Sequence, residues 1–211
     1  MYYFNQYSDL FGRRVVITII IFFAIFFSPL SLMAEELNSV EQKNGVSGFT
    51  RSTVDYKIPD VMVVRQDGEK LSFIKELDDG RPVILNFIFA SCTAICPMIS
   101  HVFSRVQAKL GENSQKVHLM SISVDPENDT STILTEYAKK FGAGPNWDHF
   151  TGTLETSIAI QKAFDAYRGD KMNHVSVILI RTVPGKPWLR LEGFVSPDAV
   201  IREYLNMIQQ Q

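Results

Sequence analysis

The most constraining feature of the chain is a nearly continuous apolar run that leads into an amphipathic helical pattern. Residues 83–89 read Val-Ile-Leu-Asn-Phe-Ile-Phe, which is typical of a strand buried on both faces. The helical pattern begins at Pro97, and its apolar residues share one stripe. They are Ile99, Val102, Phe103, Val106 and Leu110. A strand covered on both faces needs helices above and below its sheet, so this pair predicts an α/β domain.

Strands and helices continue to alternate to the end of the chain. We predict a strand at 117–124, a helix from Asp129 or Thr130 to Phe141, a helix at 154–166, strands at 175–180 and 188–194, and a last helix capped by Ser196. Residues 182–187 contain a Pro-Gly turn signal, so the last two strands should form a hairpin. A parallel pair extended by an antiparallel hairpin, with helices on both faces of a central mixed sheet, is the order of a thioredoxin-like fold.

The first 34 residues have the layout of an export signal. Arg13 and Arg14 precede an apolar run at 15–27 that no charged residue interrupts, and small and apolar residues follow up to Ala34. As a helix the run spans about 20 Å against about 30 Å for a membrane core, although an extension to Ala34 would cross. The segment is therefore either a cleaved signal peptide or an uncleaved anchor. The two arginines favour a periplasmic or other extracytoplasmic location for the remainder.

Length and charge set the domain count and exclude one class of partner. The 211 residues suit one domain plus an N-terminal appendage. Residues 35–57 are polar with little periodicity and predict a tether, so the folded domain is expected at 58–211. The net charge of −2 gives no support for nucleic-acid binding, which needs a clustered basic surface.

Both cysteines lie between the predicted strand at 83–89 and the helix that follows it. The stretch reads Phe89-Ala-Ser-Cys92-Thr-Ala-Ile-Cys96-Pro97. One interpretation is structural: two small buried side chains, or a disulfide whose short loop would add only about 2 kcal/mol. The other is functional, because ligands gather at the carboxyl ends of strands and a helix N-terminus favours thiolate, the form that binds metal or attacks a disulfide. A zinc finger would need a second ligand pair, and the chain has no other cysteine.

This stretch resembles the Sco/SenC family of copper proteins, which combine a strand, a Cys-x-x-x-Cys-Pro motif and a distant histidine. The likeness extends over residues 55–208 and includes the runs Ser123-Val-Asp-Pro-Glu-Asn-Asp-Thr130 and Phe150-Thr-Gly-Thr153. The resemblance implies a thioredoxin-like copper-binding domain in which Cys92, Cys96 and His174 are the metal ligands.

His174 is the histidine whose position best suits a ligand. It directly precedes the predicted strand at 175–180, where thioredoxins keep a cis-proline facing their cysteines, and the resemblance gives it the ligand role. The alternative is a hydrogen-bonded surface histidine. The other three look structural: His101 lies in the first helix, His118 begins a strand away from the cysteines, and His149 is expected in a loop.

Two thiolates and one imidazole form a soft donor set, which favours copper among the first-row metals. Copper(I) fits this set best, and copper(II) is the alternative oxidation state. Zinc remains chemically open but would want a fourth ligand. Met98 and Met172 are either weak extra ligands or packing residues. Asp125 is either an outer group that orients the site or a helix cap.

The resemblance implies a carrier rather than an enzyme: a metallochaperone that delivers copper to a respiratory oxidase during its assembly. Its partners would be the copper-acceptor subunit of the oxidase and, through the N-terminal segment, the membrane. A second hypothesis is a thiol–disulfide oxidoreductase that keeps a partner's copper-ligand cysteines reduced, with Cys92 and Cys96 as a redox pair whose dithiol is oxidised to a Cys92–Cys96 disulfide. A peroxiredoxin-like peroxidase would share the fold, but its Pro-x-x-x-Thr-x-x-Cys run does not precede Cys92.

Overall fold

An eight-stranded mixed sheet forms the centre of residues 48–210, the part of the chain that the computed structural model describes. The strands are β1 (Phe49–Val54), β2 (Met62–Arg65), β3 (Lys70–Ser72), β4 (Val83–Ile88), β5 (His118–Ser123), β6 (Trp147–Thr151), β7 (Val177–Arg181) and β8 (Trp188–Gly193). Their order across the sheet is β1-β8-β7-β4-β5-β6-β2-β3. β4 and β5 are parallel, β7 is antiparallel to β4, and β8 is antiparallel to β7. The predicted parallel pair and hairpin are confirmed.

Five α-helices accompany the sheet within the described residues. They are α1 (Phe73–Leu77), α2 (Ile95–Leu110), α3 (Ser131–Lys140), α4 (Leu154–Ala163) and α5 (Pro197–Gln209). Three begin at hydroxyl side chains that accept hydrogen bonds from the first turn: Thr130 from the Ile133 N–H at 3.3 Å, Thr153 from Thr156 at 3.2 Å, and Ser196 from Ala199 at 3.2 Å. Such caps satisfy backbone donors that have no partner inside the helix.

Helices cover both faces of the sheet. Asn86 and Phe87 are consecutive in β4 and therefore point to opposite faces. Asn86 is joined through a serine of β5 to Trp147, whose ring lies 5.7 Å from that of Phe103 in α2. On the other face, the Phe87 ring lies 6.1 Å from that of Phe164, directly after α4. The predicted thioredoxin-like arrangement is therefore present.

Three parts of the sheet are not predicted by the sequence pattern. β1 lies inside the stretch expected to be a tether, and it pairs antiparallel with β8. Its four central residues are exposed, so no apolar alternation marks it. β1 thus lies before the expected domain start at Ile58. The β2–β3 hairpin was also not predicted, and His149 lies in β6 rather than in a loop.

The predicted signal or anchor, residues 1–34, lies outside the described residues, as does the tether up to residue 47. Between residues 48 and 210, no helix combines the length and apolarity that a bilayer crossing requires.

Candidate metal centre

Cys92 and Cys96 lie where β4 ends and α2 begins. All six residues of β4 are buried, so the sheet holds the start of the loop firmly. The Cys92 N–H donates to the Phe89 carbonyl at 3.1 Å, which folds the loop back toward the strand. α2 begins at Ile95, and Cys96 therefore lies in its first turn, where the helix offers unpaired N–H groups and a partial positive charge.

The two sulfurs have different surroundings. Cys96 is fully buried, and its Sγ lies 3.4 Å from the Phe89 N–H, which donates to it. Cys92 is only partly buried, and its Sγ accepts from the Cys96 N–H at 3.5 Å. Both thiols are free, so the predicted Cys92–Cys96 disulfide is not formed here. One sulfur is thus accessible from outside and the other forms the floor of the site.

His174 reaches the cysteines from a separate part of the chain. It follows a single 3-10 turn, Lys171–Asn173, and precedes β7. Its Nε2 lies 3.1 Å from the Cys96 Sγ, and its ring meets that of Phe89 edge-on with centroids 5.5 Å apart. One ligand atom from each of Cys92, Cys96 and His174 lies within 4.8 Å of the other two. The structure therefore brings together the three residues expected as ligands.

Burial and backbone contacts set the protonation of the three groups. Burial alone would raise the pKa of Cys92, but N–H groups of the α2 N-terminus, led by that of Cys96, outweigh it and lower that pKa. Burial raises the pKa of Cys96, and the neighbouring Cys92 adds to this effect. Burial lowers the pKa of His174, so its imidazole is favoured in the neutral, metal-binding form. The site thus offers one activated thiol, one protonated thiol and one neutral imidazole.

The donor set fits a soft metal ion. The His174 Nδ1 is buried and has no hydrogen-bond partner among the described residues, while Nε2 faces the sulfurs. Two sulfurs and one nitrogen at this spacing match the low-coordinate preference of copper(I). Within residues 48–210, this is the one group of three or more Cys, His, Asp or Glu side chains close enough to hold a metal ion, so a fourth ligand of the kind that structural zinc prefers is not provided.

None of the other three histidines belongs to this group of ligand side chains. His101 is exposed on α2 and packs edge-on against Phe141. His118 is buried at the start of β5, and its Nε2 lies 3.0 Å from a carboxylate oxygen of Asp148. His149 is also buried.

Two residues near the site, Asp129 and Lys171, have contacts that the sequence pattern does not indicate. Of the two residues expected to cap α3, Thr130 caps this helix, and Asp129 is instead buried against the Ala90 N–H of the cysteine loop. Lys171 lies in no recognisable motif, and its Nζ donates to Asp125 Oδ2 at 2.5 Å. Asp125 does not cap α3. The sequence feature that could have indicated these contacts is the pair Asp125 and Asp129, which follows the carboxyl end of β5, the strand next to β4.

A family model described as SCO1/SenC matches residues 57–208. The chain belongs to the SCO1/SenC family. Among curated relatives, the SCO1 protein homolog of Bacillus subtilis (strain 168) is 31% identical over 109 residues, which cover 51% of this chain and 55% of that protein. The chain thus spans little more than half the length of that relative.

Solved structures of SCO1/SenC relatives have the same fold. The copper-bound crystal structure of ScoI from Arabidopsis thaliana has a TM-score of 0.61 and 26% identity, and the match covers 76% of this chain and 98% of that one. BsSco, described as a member of the Sco family of cytochrome c oxidase assembly proteins with a disulfide switch, has a TM-score of 0.60 and 27% identity, covering 74% and 96%. These matches agree with the thioredoxin-like architecture described above.

Proposed function

We propose that this SCO1/SenC chain is a copper metallochaperone that holds one copper(I) ion through Cys92, Cys96 and His174 and delivers it to a respiratory oxidase during assembly. The observation that carries the proposal is the convergence of these three donors within 4.8 Å. The copper-bound state of the ScoI structure supports the choice of metal, and the description of BsSco supports the choice of process.

The unequal burial of the two sulfurs suits transfer of the ion to a partner. Cys92 is partly exposed and Cys96 is fully buried, so an incoming ligand meets the ion on the Cys92 side. Exchange of ligands there would leave Cys96 and His174 bound until the partner holds the ion. The copper ion is therefore cargo in this proposal, and ligand exchange begins at Cys92.

Copper binding is tested by counting metal ions on the purified chain. We expect one copper(I) per chain in mass spectrometry under non-denaturing conditions, and loss of binding in Cys92→Ser or Cys96→Ser because either change leaves one thiolate. Affinity should fall on acidification, since protons compete for thiolate and imidazole. His101→Ala, a surface histidine on α2, is the matched control. One tightly held copper in the double serine variant would refute the site.

A second candidate function is thiol–disulfide exchange with a partner's copper-ligand cysteines. The observation that favours it is the contrast between an accessible Cys92 of lowered pKa and a buried Cys96, since the thiolate is the attacking species. In this function Cys92 would attack a partner disulfide, and Cys96 would then displace the partner thiol and close the Cys92–Cys96 disulfide.

His174 separates the two functions. A copper carrier needs its imidazole as a ligand, so His174→Ala should lose oxidase assembly when copper is limiting, yet the Cys92–Cys96 pair should still oxidise and reduce. A redox protein needs only the dithiol. Full oxidase activity in His174→Ala cells at limiting copper would therefore favour the redox function.

We further propose that residues 1–34 export or anchor the chain and that residues 35–47 are a tether. The copper domain then acts at the extracytoplasmic face of the membrane, which in bacteria is the periplasmic face. The support is Arg13 and Arg14 before the apolar run. A reporter fused after Gln211 should be active only outside the cytoplasm. Activity confined to the cytoplasm would refute export, and extraction with carbonate would separate an anchored chain from a cleaved one.

A further inference from the structure

The loop formed by residues 125–129 contacts both sides of the metal centre. It connects β5 with α3. Its backbone closes on itself, because the Asn128 and Asp129 N–H groups both donate to the Asp125 carbonyl, at 3.1 and 2.8 Å. The Asn128 side chain also donates to Asp125 Oδ1 at 2.9 Å. The 125–129 loop is therefore a compact turn that presents two carboxylates in fixed positions.

The first carboxylate holds the cysteine side of the centre. Asp129 is buried, and it accepts hydrogen bonds from the Ser123 hydroxyl at 2.6 Å and from the Ala90 N–H, which lies 3.2 Å from each carboxylate oxygen. Ala90 lies two residues before Cys92, in the loop that the contact between the Cys92 N–H and the Phe89 carbonyl closes. Asp129 thus fixes the backbone that presents Cys92.

The second carboxylate holds the histidine side. Lys171 Nζ donates to Asp125 Oδ2 at 2.5 Å. The Asp125 side chain is 6% exposed and that of Lys171 is 34% exposed, so the pair is partly withdrawn from water, where charge pairs are screened less than at the surface. Lys171 Nζ also lies 5.7 Å from the centroid of the Phe89 ring, the ring that meets His174 edge-on.

One turn of backbone connects Lys171 to His174. The 3-10 turn covers Lys171–Asn173, and the His174 N–H donates to the Lys171 carbonyl at 3.2 Å. Asp170 caps this turn by accepting from the Met172 N–H at 2.8 Å. A short capped turn transmits displacement at one end to the other, so the anchor of Lys171 sets where the His174 ring lies.

We propose that Lys171 is a positioning residue of the metal centre: its ion pair with Asp125 holds the 3-10 turn so that the His174 imidazole faces the two thiols. This inference rests on the proposed function, copper binding by Cys92, Cys96 and His174. Together with Asp129, the pair makes the 125–129 loop a common support for ligands from two separate parts of the chain. Replacing a group that orients a metal ligand in this way typically lowers metal affinity 10- to 100-fold.

The test measures copper(I) affinity of the full-length chain by competition with a chelator. Lys171→Met keeps the length of the side chain and removes its charge, and it should weaken copper(I) binding about 10-fold. Lys171→Arg, which can still pair with Asp125, should restore most of the affinity. Lys139→Met is the matched control, since Lys139 pairs with Glu136 on the exposed side of α3 and both side chains are largely in solvent.

Lys171 could also affect copper binding through general stability or through its charge. Lys171→Met in the His174→Ala background distinguishes these roles from positioning of His174. If Lys171 acts by positioning His174, Lys171→Met should have no further effect on affinity in the His174→Ala background. An equal loss in both backgrounds would show that the lysine acts on the thiolates through its charge, and the inference would be wrong. Asp125→Asn removes the same ion pair by changing the carboxylate instead of the lysine, so it should weaken copper(I) binding as much as Lys171→Met does. If Lys171→Met does not fold, Asp125→Asn takes its place in the test.

A second measurement needs no copper. The ring signals of His174 in the NMR spectrum of the copper-free chain, assigned by their loss in His174→Ala, should shift in Lys171→Met but not in Lys139→Met. Unchanged ring signals together with unchanged affinity would overturn the inference. A wild-type chain that binds no copper would refute the proposed function instead, and the ring signals alone would then decide whether Lys171 positions His174.

Discussion

His149 is a titratable side chain enclosed in the core, and it is not one of the metal centre's three ligand residues. It is fully buried between aromatic rings, with Trp147 at 5.2 Å and Tyr137 at 6.0 Å between centroids. Neither ring nitrogen has a hydrogen-bond partner among the described residues. Because burial disfavours the charged form, the pKa of His149 is lowered from its ordinary 6.5 to about 4.

This lowered pKa predicts loss of stability in mild acid. The unfolded chain takes up a proton at His149 near its ordinary pKa, whereas the folded chain does not until about pH 4. The contribution of His149 to stability is therefore complete above pH 6.5 and is lost as the pH falls toward 4. Between pH 7.5 and pH 5 we expect the free energy of unfolding to drop by about 2 kcal/mol through this residue, measured by denaturant unfolding.

Two phenylalanine variants isolate the effect. His149→Phe keeps a planar ring without a titrating group and should reduce the drop between pH 7.5 and pH 5 by most of that amount. His101→Phe changes an exposed histidine on α2 and should leave the drop as it is in the wild type. A His149→Phe chain with the full pH dependence of the wild type would contradict the prediction.

Single residues differ in how far the sequence announces their role. Cys92 and Cys96 were predictable because their motif is local and lies at a strand-to-helix junction. His174 was predictable from its place before a strand and from the family resemblance. Lys171 was not, because its partner Asp125 lies 46 positions earlier and a lone lysine carries no pattern. Contacts between distant loops become visible only when the fold brings the loops together.

At the scale of the elements, the pairing of β1 with β8 depends on one glycine. Gly193 ends β8 opposite Phe49 and has φ +117°. A Cβ at this position would lie 2.5 Å from the Gly48 carbonyl oxygen and 3.1 Å from the Phe49 Cα. Such close backbone approach leaves room for glycine alone.

Gly193→Ala should therefore destabilise the domain by about 3 kcal/mol, from backbone strain and from displacement of β1 together. Gly185→Ala is the matched control: Gly185 also has a positive φ, +71°, but a Cβ there would have no described atom within 4 Å. Gly185→Ala should lower the free energy of unfolding only by its backbone strain, about 1 kcal/mol. Equal losses in denaturant unfolding of the two variants would show that the contact with Gly48 does not matter.

The elements themselves were predictable where they are buried and regular. β4 and the helices α2 to α5 carry clear apolar periodicity or capping residues, and all are present near their expected ends. β1 and β6 were not predictable. β1 exposes four of its six residues, and β6 buries His149 where an alternating strand would show an apolar residue. Edge strands and strands with buried polar residues are defined by their pairing rather than by composition.

At the scale of the whole molecule, the metal centre gathers ligands from two distant parts of the chain at one end of the sheet. β7 lies beside β4, and this pairing brings the turn before β7, with His174, to the loop after β4, with Cys92. The site therefore exists only when the sheet is assembled, although no ligand lies on β1 or β8. Stability of the outer strands and integrity of the copper site are separable properties of the domain.

A pair of truncated chains tests this separation and also tests where the folded domain begins. The chain 48–211 keeps β1, whereas 58–211 starts at the expected boundary and lacks it. Without β1 the backbone edge of β8 is unpaired, and the ion pair between Arg51 Nε and Glu203 Oε2, 2.9 Å apart, no longer connects β1 with α5. We expect 58–211 to unfold at clearly lower denaturant concentration and to aggregate more readily, since an open strand edge invites pairing with another chain.

Because Cys92, Cys96 and His174 remain in both fragments, the folded fraction of each should still bind one copper(I). Equal stability of the two fragments would restore the boundary at Ile58, and loss of copper from folded 58–211 would show that β1 supports the metal centre as well as the sheet.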